Sequence, residues 1–361
     1  MVPRVCVIIP TVNNSNELAI ALDGLLRQDF GELEIVVVGP SNDPGSTVAR
    51  EFGVQYLDDK GSRTRADACN VAIDGTESEI VMFTDDDVIV PEDWVSKLVR
   101  WFDRPEVAGV GGPNFAPIEE SGLWQKAIDV SFCSKILTAG TNYGRKSTGE
   151  IEEVEQLPGV NSAYRRSVLE DVGGFDSGAI GAEDVMLDHR IRMEGHRLWS
   201  DGSAVIWHRR RNLGRVKMQI RNYGLVRTLA SNKFPQLWSW SHSLVSFFPP
   251  IVFLSIGLFL WGASNGGIAW PEFWDISTDS VPLGASRFAV HQLPTLAILY
   301  NIIAWYGAAL GDSPSKSVGT IFLSSFVSFV LHWNYGVGVI IGKLRIFSGG
   351  SGSQIDDRNR N

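Results

Sequence analysis

Three stretches near the end of the chain, 244–263, 289–310 and 318–342, contain no Asp, Glu, Lys or Arg. Each is long enough to cross a bilayer as a helix, which takes about 20 apolar residues. Buried core helices are the alternative, but three so close together leave little polar face to meet water. The chain therefore divides. We expect a soluble α/β catalytic domain over 1–212 and a basic amphipathic interfacial segment over 213–243. A membrane domain of about three helices over 244–345 and a disordered Gly/Ser-rich tail over 346–361 complete it. Pro249, Pro250 and Pro294 predict kinks, which membrane helices tolerate. The basic run before 244 belongs on the cytoplasmic side and the 264–288 loop outside. Three crossings then strand Lys343 and Arg345 outside, so either the first element is re-entrant or the charge rule yields.

The first 240 residues carry a different pattern. RVCVIIP (4–10) and LEIVVVG (33–39) are continuous β-branched runs, the mark of strands buried on both faces of a mostly parallel sheet. Between them Leu18, Ala21, Leu22 and Leu25 recur at helical spacing, with Asn14 or Ser15 as the cap. Strand, helix and strand in about 35 residues make one βαβ unit. EIVMFTD (79–85) is a further strand, and its end carries Asp85, Asp86 and Asp87. Arg215, Lys217, Arg221, Arg227 and Lys233 alternate with Val216, Ile220, Leu225 and Leu229, a pattern suited to an anionic membrane surface. A net charge of −9 excludes a general nucleic-acid binder. Cys6, Cys69 and Cys133 are odd in number and far apart, which argues against structural disulfides. The N-terminal stretch reads as a first strand, without the basic-then-apolar pattern of a signal peptide.

Three adjacent carboxylates repel one another and need a reason to stand together. In open α/β sheets ligands gather at the carboxyl ends of strands. Two carboxylates one residue apart there can share a divalent cation that grips a diphosphate. A solvated acidic turn is the plain alternative.

VIIPTVNN, EIVVVGPSNDPG, RADACNVAI, VMFTDDDVIVPEDW, GVNSAYRRSVLEDVGGFD and GAEDVMLDHRIRMEGHRL, in that order, resemble the segments of family 2 glycosyltransferases with the GT-A fold. The likeness covers about 1–235. It implies a nucleoside-diphosphate sugar as donor and a divalent cation, Mg2+ or Mn2+, as cofactor. For membrane-anchored members it also implies a polyprenyl-phosphate or lipid-linked saccharide acceptor. By this resemblance Asp85 and Asp87 match the paired aspartates at the ribose-diphosphate and metal. Asp86 fills the variable position beside the nucleotide, and His208 matches a third metal ligand or diphosphate contact. Pro10, Thr11 and Asn13 fall where the nucleotide pocket begins, and Arg65 and Asn70 where groups near the nucleotide lie. Glu183 and Asp184 match the acidic pair on the acceptor side, with Asp184 as the base that deprotonates an acceptor hydroxyl. Arg209–Arg211 either hold phosphates or face the membrane surface.

Two departures matter. Gly39, Pro40 and Ser41 stand where the family has its DDGS segment, which leaves Asn42 and Asp43 as the candidates to replace the contact to the base and leaves the base, uracil or guanine, open. QIRNYG (219–224) only approximates the Gln-x-x-Arg-Trp of processive synthases, which favours transfer of a single sugar. The expectation is an inverting enzyme, multi-pass in the cell membrane, with its catalytic domain in the cytoplasm. A processive polysaccharide synthase and a non-catalytic lipid-binding or flipping protein are the alternatives.

Overall fold

A computed structural model describes residues 3–140, 151–177, 179, 181–265 and 281–349, with side chains from 285 onward in the last stretch. The chain opens β1 (Val5–Pro10), α1 (Ser15–Leu26), β2 (Leu33–Gly39), α2 (Gly45–Glu51), β3 (Gln55–Asp58), α3 (Arg65–Asp74) and β4 (Ile80–Phe83). These are the predicted βαβ units. Along β1, Val5, Val7 and Ile9 enter one hydrophobic core while Cys6 and Ile8 enter another. Both faces of the strand are covered, which is why its sequence is apolar without alternation. Leu18, Ala21, Leu22 and Leu25 form the buried face of α1, as their spacing requires.

Next come β5 (Val88–Ile89), α4 (Trp94–Val99), β6 (Val107–Gly111), β7 (Asn114–Phe115), α5 (Leu123–Phe132), β8 (Ile151–Val154) and β9 (Ser162–Arg165). The α/β part ends with α6 (Arg166–Asp171), α7 (Glu183–Met193), β10 (Arg197–Asp201) and β11 (Ile206–His208). Eight strands form one sheet in the order β3-β2-β1-β4-β9-β6-β10-β8. Its pairs are parallel except those made by β9 and β8. A smaller sheet, β5-β11-β7, sits at the exit of β4. There a Cβ at Gly112 would lie 2.1 Å from the Ala204 carbonyl, so only glycine lets β11 approach. Asn161 locks the same corner, donating to the Pro113 and Ala204 carbonyls and accepting from the Trp94 indole.

The C-terminal part is α8 (Leu213–Lys233), α9 (Trp240–Ser246), α10 (Phe248–Ser264), α11 (Val281–Leu310) and α12 (Val318–Phe347). Trp240–Ser264, Ala285–Leu310 and Val318–Phe347 are long and apolar enough to cross a membrane. Pro249 and Pro250 open α10 instead of kinking it, since proline fits the first helical turn, where no N–H is needed. Pro294 does lie inside α11. Residues 350–361 of the expected disordered tail lie outside the described residues, whereas Ile346 and Phe347 belong to α12.

Candidate active site

The turn between β4 and β5 carries the three aspartates, and pairing in the small sheet brings them a partner from far along the chain. β5 runs antiparallel to β11 with Val88 opposite His208. That register sets His208 Nε2 3.0 Å from Asp87 Oδ1 and 4.0 Å from Asp85 Oδ2. One ligand atom from each of Asp85, Asp87 and His208 lies within 4.8 Å of the others. Two carboxylate oxygens and an imidazole nitrogen suit Mg2+ or Mn2+, and the three side chains converge as a shared cation requires. Burial opposes charge on both members of the closest pair. His208 nevertheless holds the Asp87 carboxyl below the usual carboxylate range, and Asp87 raises His208 above its ordinary value.

Asp86 points the other way. Its Oδ2 accepts from Thr11 Oγ1 at 2.5 Å and its Oδ1 from Asn14 Nδ2 at 2.9 Å. Burial pushes its pKa up to about 6 against the pull of those hydrogen bonds. Asp86 thus ties the strand-end turn to the loop after β1. Asn14 does occupy the cap position of α1, but its side chain makes no cap hydrogen bond because Asp86 holds it.

Asp43 braces the same loop from the β2 side. It is 4% exposed, with Oδ2 accepting from Asn13 N at 2.7 Å and Oδ1 from Gly45 N at 2.7 Å. Asn13 has φ +55°, a left-handed turn that aims its N–H at Asp43. Both Asp43 oxygens are occupied by backbone, so Asp43 shapes the pocket wall. Asn42 is exposed beside it, and Pro10 ends β1 at the same rim.

Arg65, at the start of α3, joins the two acidic groups. Its Nη2 lies 3.1 Å from Asp85 Oδ1 and donates to the Gly159 carbonyl at 2.9 Å. Its Nη1 lies 3.7 Å from Glu183 Oε1. Burial would lower the Arg65 pKa, but Asp85, Cys69, Glu183 and Asp184 together raise it above the ordinary value. Asp184 is held on the same glycine, its Oδ2 accepting from Gly159 N at 3.2 Å. Ala182, at φ +56°, turns the chain into α7 so that Glu183 and Asp184 open the helix. The guanidinium and Gly159, through its carbonyl and its N–H, thus couple the strand-end aspartates to the acidic pair.

Asn70 is not brought into this group. Its amide donates to the Phe175 carbonyl at 3.0 Å and accepts from Phe175 N at 2.8 Å, spending the side chain on the glycine turn before Asp176. Of the arginine cluster, Arg209 pairs with Glu17 and Glu120. Arg210 is buried against Asp129 and Asn114. Arg211 is exposed and lies close enough to help lower the Asp87 pKa. Asp188, one turn beyond Asp184, was unmarked in the sequence. It accepts from Leu157 N at 2.5 Å and Tyr164 Oη at 2.8 Å, and burial drives its pKa well upward.

A mostly parallel sheet with carboxylates at the exit of β4 and an acidic helix start facing the same loop defines a GT-A-type nucleotide-sugar transferase domain. Residues 6–173 match the family model described as Glycosyl transferase family 2, and the chain carries a glycosyltransferase domain of that family. It is 27% identical over 218 residues to the O-antigen chain rhamnosyltransferase RfbN of Salmonella typhimurium, covering 57% of this chain and 66% of that protein. It is 27% identical over 179 residues to a glucosyl-dolichyl phosphate glucuronosyltransferase of Haloferax volcanii, covering 45% of this chain and 46% of that protein. The chain thus spans less than two thirds of the length of either relative. A mannosyltransferase of Pyrobaculum calidifontis, solved with GDP-Man and Mn2+, shares the fold. It is 21% identical with TM-score 0.52, over 90% of this chain and 86% of that one.

Proposed function

We propose that the protein is a membrane-anchored, inverting glycosyltransferase. It moves one sugar from a nucleoside-diphosphate sugar to a polyprenyl-phosphate or lipid-linked saccharide at the cytoplasmic face. One observation carries the reading: Asp85, Asp87 and His208 converge at the strand end, and Arg65 and Gly159 couple them to Asp184.

Asp85, Asp87 and His208 would hold the divalent cation, which supplies positive charge to the leaving diphosphate. Thr11, Asn13, Asp43 and Asp86 brace the loop against which the nucleotide is expected to lie. In the reaction the acceptor oxygen forms a bond to the anomeric carbon as the bond from that carbon to the diphosphate oxygen breaks. For a hydroxyl acceptor the proton passes to the Asp184 carboxylate. An ionised phosphate acceptor brings no such proton, and the reaction then needs no base at Asp184. Arg65 holds the donor and acceptor groups at a fixed separation, and Glu183 completes its ion pairs.

Support for a lipid-linked acceptor comes from the apolar helices directly behind the domain and from the dolichyl substrate in one relative's name. The GDP-Man and Mn2+ of the structural neighbour are in keeping with a nucleotide-sugar donor and a cation. The test is purified full-length protein incubated with a panel of nucleotide sugars and membrane lipid extract, with products read by mass spectrometry. A lipid product one sugar heavier supports the reading. A ladder of products would make the enzyme processive, and no product with any donor would remove the transferase assignment.

A further inference from the structure

The three apolar helices do not stand in the same relation to the rest of the chain. α10 and α11 pair antiparallel as a hairpin. Gly262 meets Ser286, Gln292 donates to the Ser255 carbonyl at 2.7 Å, and the Phe248 and Tyr300 rings lie 5.5 Å apart. Only 17% of the most apolar window of each candidate span is buried, as expected of helices surrounded by lipid.

In α12 the figure is 44%. One side of α12 runs parallel to α8 with backbones in contact through glycines. A Cβ at Gly224 would lie 2.2 Å from the Tyr335 carbonyl, one at Gly338 1.9 Å from the Arg221 carbonyl, and one at Gly342 2.8 Å from Thr228 Cβ. The first half of α12 also rests on α5, where Ser328 Oγ donates to Ser131 Oγ at 3.2 Å. Both of its ends are fastened to the catalytic side of the molecule. Just before it, Ser313 Oγ donates to the buried Asp129 at 2.6 Å. Near its end, Lys343 Nζ lies 5.5 Å from the Trp238 ring. Away from the α8 seam, α12 leaves Val318, Phe322, Phe326 and Phe329 exposed, and further along Leu344 and Phe347, with Phe326 beside Trp124 of α5, Phe322 beside Trp305 of α11 and Phe329 beside Phe248 and Tyr300 of the hairpin. At 3.6 residues per turn these fall in one stripe along the whole helix.

α8 decides the orientation. Arg215, Lys217 and Arg221 are exposed on it, and charged side chains are not left facing hydrocarbon. A helix locked parallel to α8 over most of its length lies where α8 lies. We propose that, of the three candidate spans among the described residues, the α10–α11 hairpin crosses the bilayer and α12 does not. α12 lies with α5 and α8 in the cytoplasmic headgroup layer, its apolar stripe dipped into the acyl chains and the α8 cations on anionic phospholipid. The end of α12 then lies on the catalytic side, and Lys343 and Arg345 obey the charge rule that three crossings would break. The proposal concerns topology and is independent of the sugar, the acceptor and catalysis itself.

The test uses the full-length protein in sealed membrane vesicles of known sidedness. Single cysteines are placed at the exposed positions Glu51, Asn265 and Ser348, and an impermeant maleimide is added. The three native cysteines are buried. Ser348→Cys should label on the vesicle face that labels Glu51→Cys, and Asn265→Cys on the other. Labelling of Ser348→Cys with Asn265→Cys would establish three crossings and overturn the proposal. An epitope fused to the otherwise unchanged C-terminus gives the same reading without a core substitution. Protease on the Glu51 face should remove it, and protection there would refute the topology. Fluorophores at Phe322→Cys and Leu344→Cys should be quenched by lipids brominated at the same depth in one leaflet. Quenching from opposite leaflets would equally overturn it.

Discussion

Replacing Arg210 separates a phosphate ligand from a structural anchor. The guanidinium is buried, with Nε 2.8 Å from Asp129 Oδ1, Nη1 2.9 Å from Asn114 Oδ1 and Nη2 2.8 Å from the Asn114 carbonyl. Asp129 is fully buried and also accepts from Ala116 N and Ser313 Oγ. Arg210→Met keeps the bulk and leaves the Asp129 charge uncompensated, which costs about 3–5 kcal/mol for a buried pair. At about 2–4 °C per kcal/mol for a domain of this size, the melting midpoint should fall by roughly 6–20 °C. Adding Asp129→Leu should recover only part of this, because the Ala116 N–H and the Ser313 hydroxyl then lose their acceptor at about 1–3 kcal/mol each. The assay is tryptophan-fluorescence melting of the full-length protein at fixed detergent, with donor KM measured below the transition. A lower midpoint with unchanged donor KM is expected. An unchanged midpoint with a raised donor KM would refute the anchoring argument and return Arg210 to the phosphates.

Asp87→Asn should abolish transfer without altering the melt, and chelation should silence the wild type; full activity in either case would remove the metal role. Asp184→Asn should slow transfer to a hydroxyl acceptor by about 10² to 10⁴ at saturating donor, the usual contribution of a positioned base. Glu183→Gln serves as the comparison, and a near wild-type Asp184→Asn rate on a lipid-linked saccharide would end the base assignment. Asp188→Asn should cost less than Asp188→Leu, since its amide oxygen still accepts from one of the two donors, whereas leucine leaves both Leu157 N and Tyr164 Oη without an acceptor. Asp188→Leu should cost about 1–3 kcal/mol, and equal melts for the two variants would contradict this.

The early βαβ units and the aspartate-bearing turn were legible because buried parallel strands leave an unbroken apolar signature. The meeting of His208 with Asp87 was expected only through the family resemblance, because no local signal announces the pairing of two very short strands far apart in the chain. Nor does composition reveal how a polar side chain is spent. Asn70 looked like a nucleotide contact and instead holds Phe175, while Asp43, a candidate reader of the base, has both oxygens on backbone N–H groups. Arg210 sat in a run of three identical residues that only burial distinguishes. Hydropathy found the three apolar helices, yet the close packing of α12 on α8 rests on Gly224, Gly338 and Gly342, which carry no hydropathic signal of their own.

The hydroxyl of Ser313 inside the Asp129 network has a consequence for biosynthesis. α5 and α8 cannot finish their packing until α12 arrives, roughly a hundred residues after α8 begins. At translation rates of about 5–20 residues per second, the nascent chain carries an open apolar seam for roughly 5–20 s. Exposed seams of this kind attract chaperones or aggregate, so the order of events on the ribosome becomes part of the protein's chemistry. On the topology proposed above, the hairpin enters the membrane first, and only then can the chain fold back and close the packing of α5 and α8. A product cut short before Val318 would not simply lack an anchor; it would be an unfinished enzyme and a substrate for proteolysis.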